Sequence, residues 1–437
     1  MAVLLIIENN SHFFVQDKIM VSIFTKKMVK KFSLDKNKIR VLLLEGIHES
    51  AVRAFNEAGY TNIKYVKTAL DEDVLEQEIK DVHIIGIRSR TQLTKRVLKK
   101  AKKLFAVGCF SIGTNQVDLL AAEQLGIPVF NAPFSNTRSV AELVVAETVM
   151  LMREIPAKNA AAHRGEWLKA ARNSFEVRGK NLGIVGYGHI GSQVSILAEA
   201  MGMNVYYYDV EKKLSLGKAI ACNSLSELLQ IADVVTLHVP ETELTAKLIS
   251  TQELAKMKKG AFLINASRGS VVDYDAVAKA LKDGKLAGGA ADVFPKEPAS
   301  NSEPFHSVLQ EFDNVILTPH IGGSTSEAQE NIGMEVSEKL IRYSDNGSTI
   351  GTVNFPPISL QPNQTKKRFL HIHKNMPGVL NDINFVFTEK KINIASQFLQ
   401  TDTNIGYVII DIESGLDKII LKELKRIPHT IKARILY

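Results

Sequence analysis

The sequence predicts an α/β protein with two doubly wound parallel-sheet units followed by a small βαββαβ unit. Three observations carry this. From Ile39 onward, short apolar runs alternate with amphipathic segments of helical period, the pattern of a parallel sheet covered by helices. Within 181–211 one such run ends in a glycine-rich turn that opens a helix. Beyond a Pro- and Gln-containing stretch, the order changes to strand, helix, two successive strands, helix and strand, which is ferredoxin-like.

A chain of 437 residues is too long for one core, and a prior of about 150 residues per domain suggests three. Residues 1–38 have no sustained period and read as an arm, with Met28 as an alternative start. Strands expected at Arg40–Leu44, Ile63–Val66, Val82–Ile87, Leu104–Val107 and Pro128–Phe130 make a first unit over 39–136. A long apolar-rich helix, Asn136–Glu154, capped by Ser135 or Asn136, leads through Ala157–Ala171 and Trp167 into a second unit over 137–321. A second long helix, Ser326–Tyr343, is expected to return the chain to the first unit, so that 322–354 completes it. That crossing leaves a cleft between the units, where ligand sites are favoured. Residues 355–367 read as a linker and 368–437 as the tail unit. At about 70 residues the tail is a marginal core, which pairing with another copy through a sheet edge would support.

Composition excludes several classes. Cys109 and Cys222 are far apart and lack metal-ligand spacing, so neither a disulfide framework nor a bound metal is expected, in keeping with a cytoplasmic protein. No apolar run approaches a membrane span, and Ala2–Ile7 is too short for a signal-peptide core. The net charge of +7 is concentrated in Lys26–Arg40 and Lys95–Lys103. No nucleic-acid motif accompanies either cluster, so the charge suits an anionic metabolite better than a nucleic acid.

The glycine turn reads Gly186-Tyr187-Gly188-His189-Ile190-Gly191. Gly186 permits the tight turn, Gly188 lets a pyrophosphate approach the backbone, and Gly191 lets helix and strand pack closely. The helix N-terminus offers free N–H groups and partial positive charge to phosphates. The next strand ends in Asp209, whose carboxylate can accept both ribose hydroxyls and would repel a 2′-phosphate; the expected cofactor is NAD rather than NADP. Three more strand ends carry polar groups: Asn265-Ala266-Ser267-Arg268-Gly269, then Asp292 to Pro298 with Glu297, then Thr318-Pro319-His320-Ile321-Gly322-Gly323. His320 suits a base for an alcohol proton, Glu297 would orient its ring, and Arg268 can grip a carboxylate.

Taken together, these motifs resemble the D-isomer-specific 2-hydroxyacid dehydrogenase family. With Ile87-Arg88-Ser89-Arg90-Thr91, Asn131 to Glu142 and the tail, the chain is similar to the phosphoglycerate-oxidising branch over about residues 28–437. The resemblance implies a flavodoxin-like substrate domain, a Rossmann NAD domain and an ACT domain. It also implies oxidation of 3-phosphoglycerate to 3-phosphohydroxypyruvate, the first step of phosphorylated serine synthesis, with reduction of 2-oxoglutarate as a further activity. His320 would then be the acid/base, Glu297 its partner and Arg268 the carboxylate anchor. Gly186, Gly188, His189, Ile190, Gly191, Asp209, Ala266, Ser267, Arg268, Asp292, His320, Ile321, Gly322 and Gly323 would line the cofactor. Arg88, Ser89, Asn136 and Gln329 would line the substrate, with Lys67 and Lys169 as cationic neighbours acting across a subunit boundary. In the tail, the segment His371-Ile372-His373-Lys374-Asn375 matches an amino-acid-binding signature, so that His373, Asn375 and Asn393 would hold L-serine as a feedback inhibitor. The implied assembly is a homotetramer joined through NAD domains and ACT domains. Two alternatives stay open: a relative acting on another hydroxy acid, and a non-catalytic NAD-sensing scaffold.

Overall fold

The first sheet comprises β1 (Val41–Leu43), β2 (Ile63–Tyr65), β3 (Ile84–Ile87), β4 (Ala106–Cys109) and β5 (Val129–Phe130), all parallel, in the order β2-β1-β3-β4-β5. This is the flavodoxin-like order. The computed structural model describes residues 34–298, 302–361, 367–413 and 417–436; most of the arm, Met28 included, lies outside them. Every residue of β1, β3 and β4 is buried, which is why these strands read as continuous apolar runs. The long helix Ser326–Asn346 is capped by Thr325, whose hydroxyl accepts the Ala328 N–H, and it ends at Gly347 with φ +82°. It packs back on the first sheet, where the Ser50 hydroxyl donates to the Glu330 carbonyl at 2.9 Å and Ile332, Val336, Leu340 and Tyr343 enter the core.

The second sheet comprises β6 (Asn181–Val185), β7 (Asn204–Tyr208), β8 (Ile220–Ala221), β9 (Val234–Leu237), β10 (Ala261–Asn265), β11 (Leu286–Ala291) and β12 (Val315–Leu317). All are parallel, in the order β12-β11-β10-β9-β6-β7-β8. The order reverses between β6 and β9, the switch point of a Rossmann sheet. Edge strand β8 was not foreseen from the sequence: it has two residues, both exposed, and so no apolar signal. The helix expected at Asn136–Glu154 spans Thr137–Met152, and neither expected side chain caps it. The Ser135 hydroxyl instead donates to the Glu335 carboxylate of the long helix. Of Ala157–Ala171, only the part up to His163 is helical, and Trp167 beyond it is 85% exposed.

The tail is an antiparallel sheet of β13 (Lys367–Lys374), β14 (Ile394–Thr401), β15 (Ile405–Ile412) and β16 (Thr430–Leu436) in the order β14-β15-β13-β16, with helices Val379–Glu389 and Asp417–Leu424. The expected linker is not loose over its described part. Phe355, Ile358 and Leu360 are buried in one core with the first sheet and with Leu370, Ile372, Tyr407, Ile409 and Leu436 of the tail. A buried ion pair reinforces the join: Arg368 donates to both Asp411 oxygens at 2.7 and 2.8 Å, and also to the carbonyls of Asn346 and Gln361 at 3.1 Å. Removing one partner of such a pair strands the other charge. Asp411→Ala should therefore destabilise the protein by about 3–5 kcal/mol, measured as an earlier urea transition by circular dichroism.

Candidate active site

The strand ends of the second sheet build the site. After β10 the chain folds around the Asn265 amide, whose Oδ1 accepts the Ser267 N–H and hydroxyl at 3.1 and 2.8 Å and whose Nδ2 donates to the Arg268 carbonyl at 3.0 Å. Gly269 lies so close to the Phe294 carbonyl that any Cβ would overlap it. This approach sets Arg268 beside the loop that follows β11. The Arg268 guanidinium also extends toward Gly113, in the loop after β4.

Asp292, 2% exposed, follows β11. Its Oδ1 accepts the Thr318 hydroxyl at 2.6 Å and the Ile321 N–H at 2.7 Å, and its Oδ2 accepts the Gly322 N–H at 2.8 Å. These bonds draw in the chain on both sides of His320, which adopts the left-handed φ of +54°. Both oxygens of Asp292, expected as a cofactor contact, also engage the loop, Oδ2 through a single N–H. His320 Nδ1 lies 2.8 Å from Glu297 Oε2, while Glu297 Oε1 accepts the Phe294 N–H at 3.1 Å.

The hydrogen bond that His320 donates to Glu297 raises the His320 pKa; burial opposes this, the charges of Glu297 and Asp292 reinforce it, and Arg268 works against it. Burial works to raise the Glu297 carboxyl, but the hydrogen bond and charge of His320, the Phe294 N–H and Arg268 outweigh it, and the net shift is downward. A raised histidine pKa adds stability fully below its ordinary 6.5, and that contribution is lost as pH rises through the raised value.

At the other side of the switch point, Gly186 has φ +90° and packs against the His238 carbonyl, and Gly191 packs against the Gly186 carbonyl; neither position has room for a Cβ. A Cβ at Gly188 would meet nothing within 4 Å, so the space over the helix N-terminus His189–Ile190 is open. A pyrophosphate fits there. Asp209 is fixed at the end of β7 by the N–H groups of Tyr187 and Glu211, at 2.8 and 2.9 Å. Burial pushes the His238 imidazole down to about 3, and its Nε2 lies 3.0 Å from the Thr236 hydroxyl.

Facing these groups, the Phe134 and His189 rings approach to 4.0 Å between centroids. Asn136 lies against Gly323 with its Oδ1 buried and unbonded, and Gln329 donates to the Gly323 carbonyl at 3.0 Å. Arg88 is partly exposed and Ser89 and Lys67 are exposed at the ends of β3 and β2. Lys169 is exposed in the segment after His163, and no hydrogen bond or ion pair joins it to the cleft among the described residues. Ala266 and Ile321 border the same strand ends. In the tail, His373 Nδ1 lies 2.8 Å from the Lys374 carbonyl while Nε2 is buried and unbonded; Asn375 donates to the Asp402 carbonyl at 2.6 Å, and Asn393 is exposed.

Two acids escaped the sequence reading. Glu45 receives three backbone N–H groups of the loop after β3. Glu147, inside the helix Thr137–Met152, is 2% exposed with neither oxygen bonded, and burial together with nearby Asp292 pushes its carboxyl up to about 8. A lone acid in a helix otherwise reads as solvated.

Residues 145–322 match the family described as D-isomer specific 2-hydroxyacid dehydrogenase, NAD binding domain, and residues 369–432 match an AHAS small subunit-like ACT domain. The chain is 61% identical over 410 residues to the D-3-phosphoglycerate dehydrogenase of Haemophilus influenzae, covering 94% of this chain and 100% of that protein. The chain belongs to the D-isomer specific 2-hydroxyacid dehydrogenase family. Identity to the Escherichia coli K12 D-3-phosphoglycerate dehydrogenase is 59% over 409 residues, covering 93% of this chain and 100% of that one. Among solved structures of 2-hydroxyacid dehydrogenases, D-lactate dehydrogenase from Aquifex aeolicus, complexed with NAD and lactic acid, matches at 29% identity and a TM-score of 0.63, over 72% of this chain and 100% of that chain. The second sheet is therefore the NAD-binding domain of a 2-hydroxyacid dehydrogenase.

Replacing Glu297 by Gln removes the charge that helps to raise His320 and leaves only a weaker, neutral amide oxygen as acceptor. The imidazole pKa of Glu297→Gln, measured by long-range proton–nitrogen NMR, should fall below that of the unaltered protein.

Proposed function

We propose that the protein oxidises 3-phospho-D-glycerate to 3-phosphohydroxypyruvate with NAD, opening phosphorylated L-serine synthesis in the cytoplasm. The observation that carries this is the His320–Glu297 pair at 2.8 Å, with Arg268 beside it on the turn that Gly269 packs against the Glu297 loop. The names of the relatives above support the choice of substrate. NAD, when bound over Gly188, supplies the hydride acceptor for C2. Nδ1 of His320 faces Glu297, so Nε2 is left to take the C2 hydroxyl proton as the hydride departs. The imidazolium so formed is stabilised by the Glu297 carboxylate. Arg268 holds the substrate carboxylate and polarises the C2 oxygen. Arg88, Ser89, Asn136 and Gln329 receive the remaining anionic oxygens, with Lys67 and Lys169 as cationic neighbours at a subunit boundary.

L-Serine is the proposed effector, held by His373, Asn375 and Asn393; the buried, unbonded Nε2 of His373 supports a polar ligand there. The proposed assembly is a homotetramer. Exposed Ile155, Trp167, Leu168 and Phe175 support a contact between NAD domains, and the exposed edge strand β14 with Phe398 and Leu399 supports one between ACT domains.

NADH formation from 3-phosphoglycerate and NAD under hydrazine trapping tests the reading, with and without L-serine and with 2-oxoglutarate plus NADH as a second reaction. Serine-suppressed turnover is expected, and His320→Ala should lower kcat by about a hundred- to ten-thousandfold. Turnover on other hydroxy acids but not on 3-phosphoglycerate would overturn the substrate assignment.

A further inference from the structure

We infer that Glu45 is a positioning residue for the anionic substrate, holding both cationic loops of the first sheet from one point. Glu45 lies just past β1, which is flanked by β2 and β3, so the loops after those two strands pass on either side of it. Its Oε1 accepts the N–H groups of Arg88 and Thr91 at 3.1 and 2.9 Å, and its Oε2 accepts that of Arg90 at 2.9 Å. On the other side, the Glu45 N–H donates to the Thr68 carbonyl at 3.1 Å and the Gly46 N–H to the Val66 carbonyl at 3.2 Å, bracketing Lys67. The residue is 9% exposed and sits at φ +62°, a conformation that costs a residue with a side chain about 1 kcal/mol or more.

A carboxylate beside an anion-binding cleft is electrostatically adverse unless its charge is already engaged. Here the engagement is complete in kind: three converging N–H donors meet two acceptor oxygens, and no neutral side chain offers two acceptors without a donor. Because the Arg88, Arg90 and Thr91 N–H groups are spent on Glu45, anion recognition falls to the Arg88, Ser89 and Lys67 side chains and the Ser89 N–H. This inference rests on the proposed reading of those three as substrate contacts. It adds that their placement depends on a residue that touches no substrate.

The test is steady-state kinetics on the full chain. In Glu45→Gln the amide oxygen can still accept from Arg88 and Thr91, but its NH₂ confronts the Arg90 N–H. Glu45→Asp keeps the charge and loses the reach. In both variants KM for 3-phosphoglycerate should rise about tenfold or more, the consequence of one lost charge-assisted hydrogen bond. KM for NAD and the acid limb of the pH profile should stay put, and kcat should fall less than KM rises. Arg88→Ala should also raise KM for 3-phosphoglycerate. An unchanged KM in Arg88→Ala would overturn the substrate reading itself. A raised KM in Arg88→Ala with unchanged KM in both Glu45 variants would overturn the inference alone. A parallel rise in KM for NAD, or loss of folding in both Glu45 variants by circular dichroism, would also overturn it, since the residue would then serve the fold as a whole.

Discussion

The buried carboxylate of Asp292 is the constraint on which the rest of the site depends. Three donors close on it from Thr318, Ile321 and Gly322, and the residue between them, His320, is forced into a left-handed backbone and toward Glu297. The loop has a second support in the helix Thr137–Met152: the Ser139 hydroxyl donates to the Gly322 carbonyl at 2.6 Å, and Gly322 lies against Val140. About two turns further along that helix stands Glu147, whose carboxyl burial and Asp292 push up to about 8, toward its neutral form. Two negative charges so close in a dry interior would repel, and the loop is spared that repulsion.

Carboxylates do three different jobs around this cleft. Asp292 and Glu45 shape loops: each takes up backbone N–H groups that would otherwise be unsatisfied, and each sets the path of a loop at a strand end. Glu297 is half-buried and meets a titrating ring, so it tunes a proton affinity. The separation is one of partners: acids that meet backbone amides build, and the acid that meets an imidazole takes part in proton transfer. In the tail, Asp411 pairs with Arg368 on the neighbouring strand, 5% exposed each, and Arg368 in turn reaches the Asn346 and Gln361 carbonyls outside that sheet.

Much of this was legible in the sequence because the strands are buried on both faces and punctuated by capped helices. Gly186, Gly188 and Gly191 announced a phosphate turn, and His320, Glu297 and Arg268 stood at strand ends, where side chains of a parallel sheet converge. What could not be read lacked a local signal. Strand β8 is short and exposed, and the apolar Phe355, Ile358 and Leu360 are hidden among prolines that punctuate like a linker, so only tertiary contact reveals them as core. Asp292 was read as a cofactor contact, and its further part in holding the next loop went unread, because nothing local says that its oxygens also turn back onto that loop. Glu45 follows an apolar run as any solvated turn acid would, and its three partners lie more than forty residues away.

The account's central claim is that the Asp292 carboxylate shapes the loop that carries the proton-transfer histidine. Asp292→Asn tests it most directly, since the amide keeps size and one acceptor oxygen but confronts an N–H or hydroxyl donor with its NH₂ group. The measurement is kcat for 3-phosphoglycerate oxidation alongside NADH binding by fluorescence. The account predicts a fall in kcat of about a hundredfold or more, with NADH still bound. A kcat close to that of the unaltered protein would contradict it.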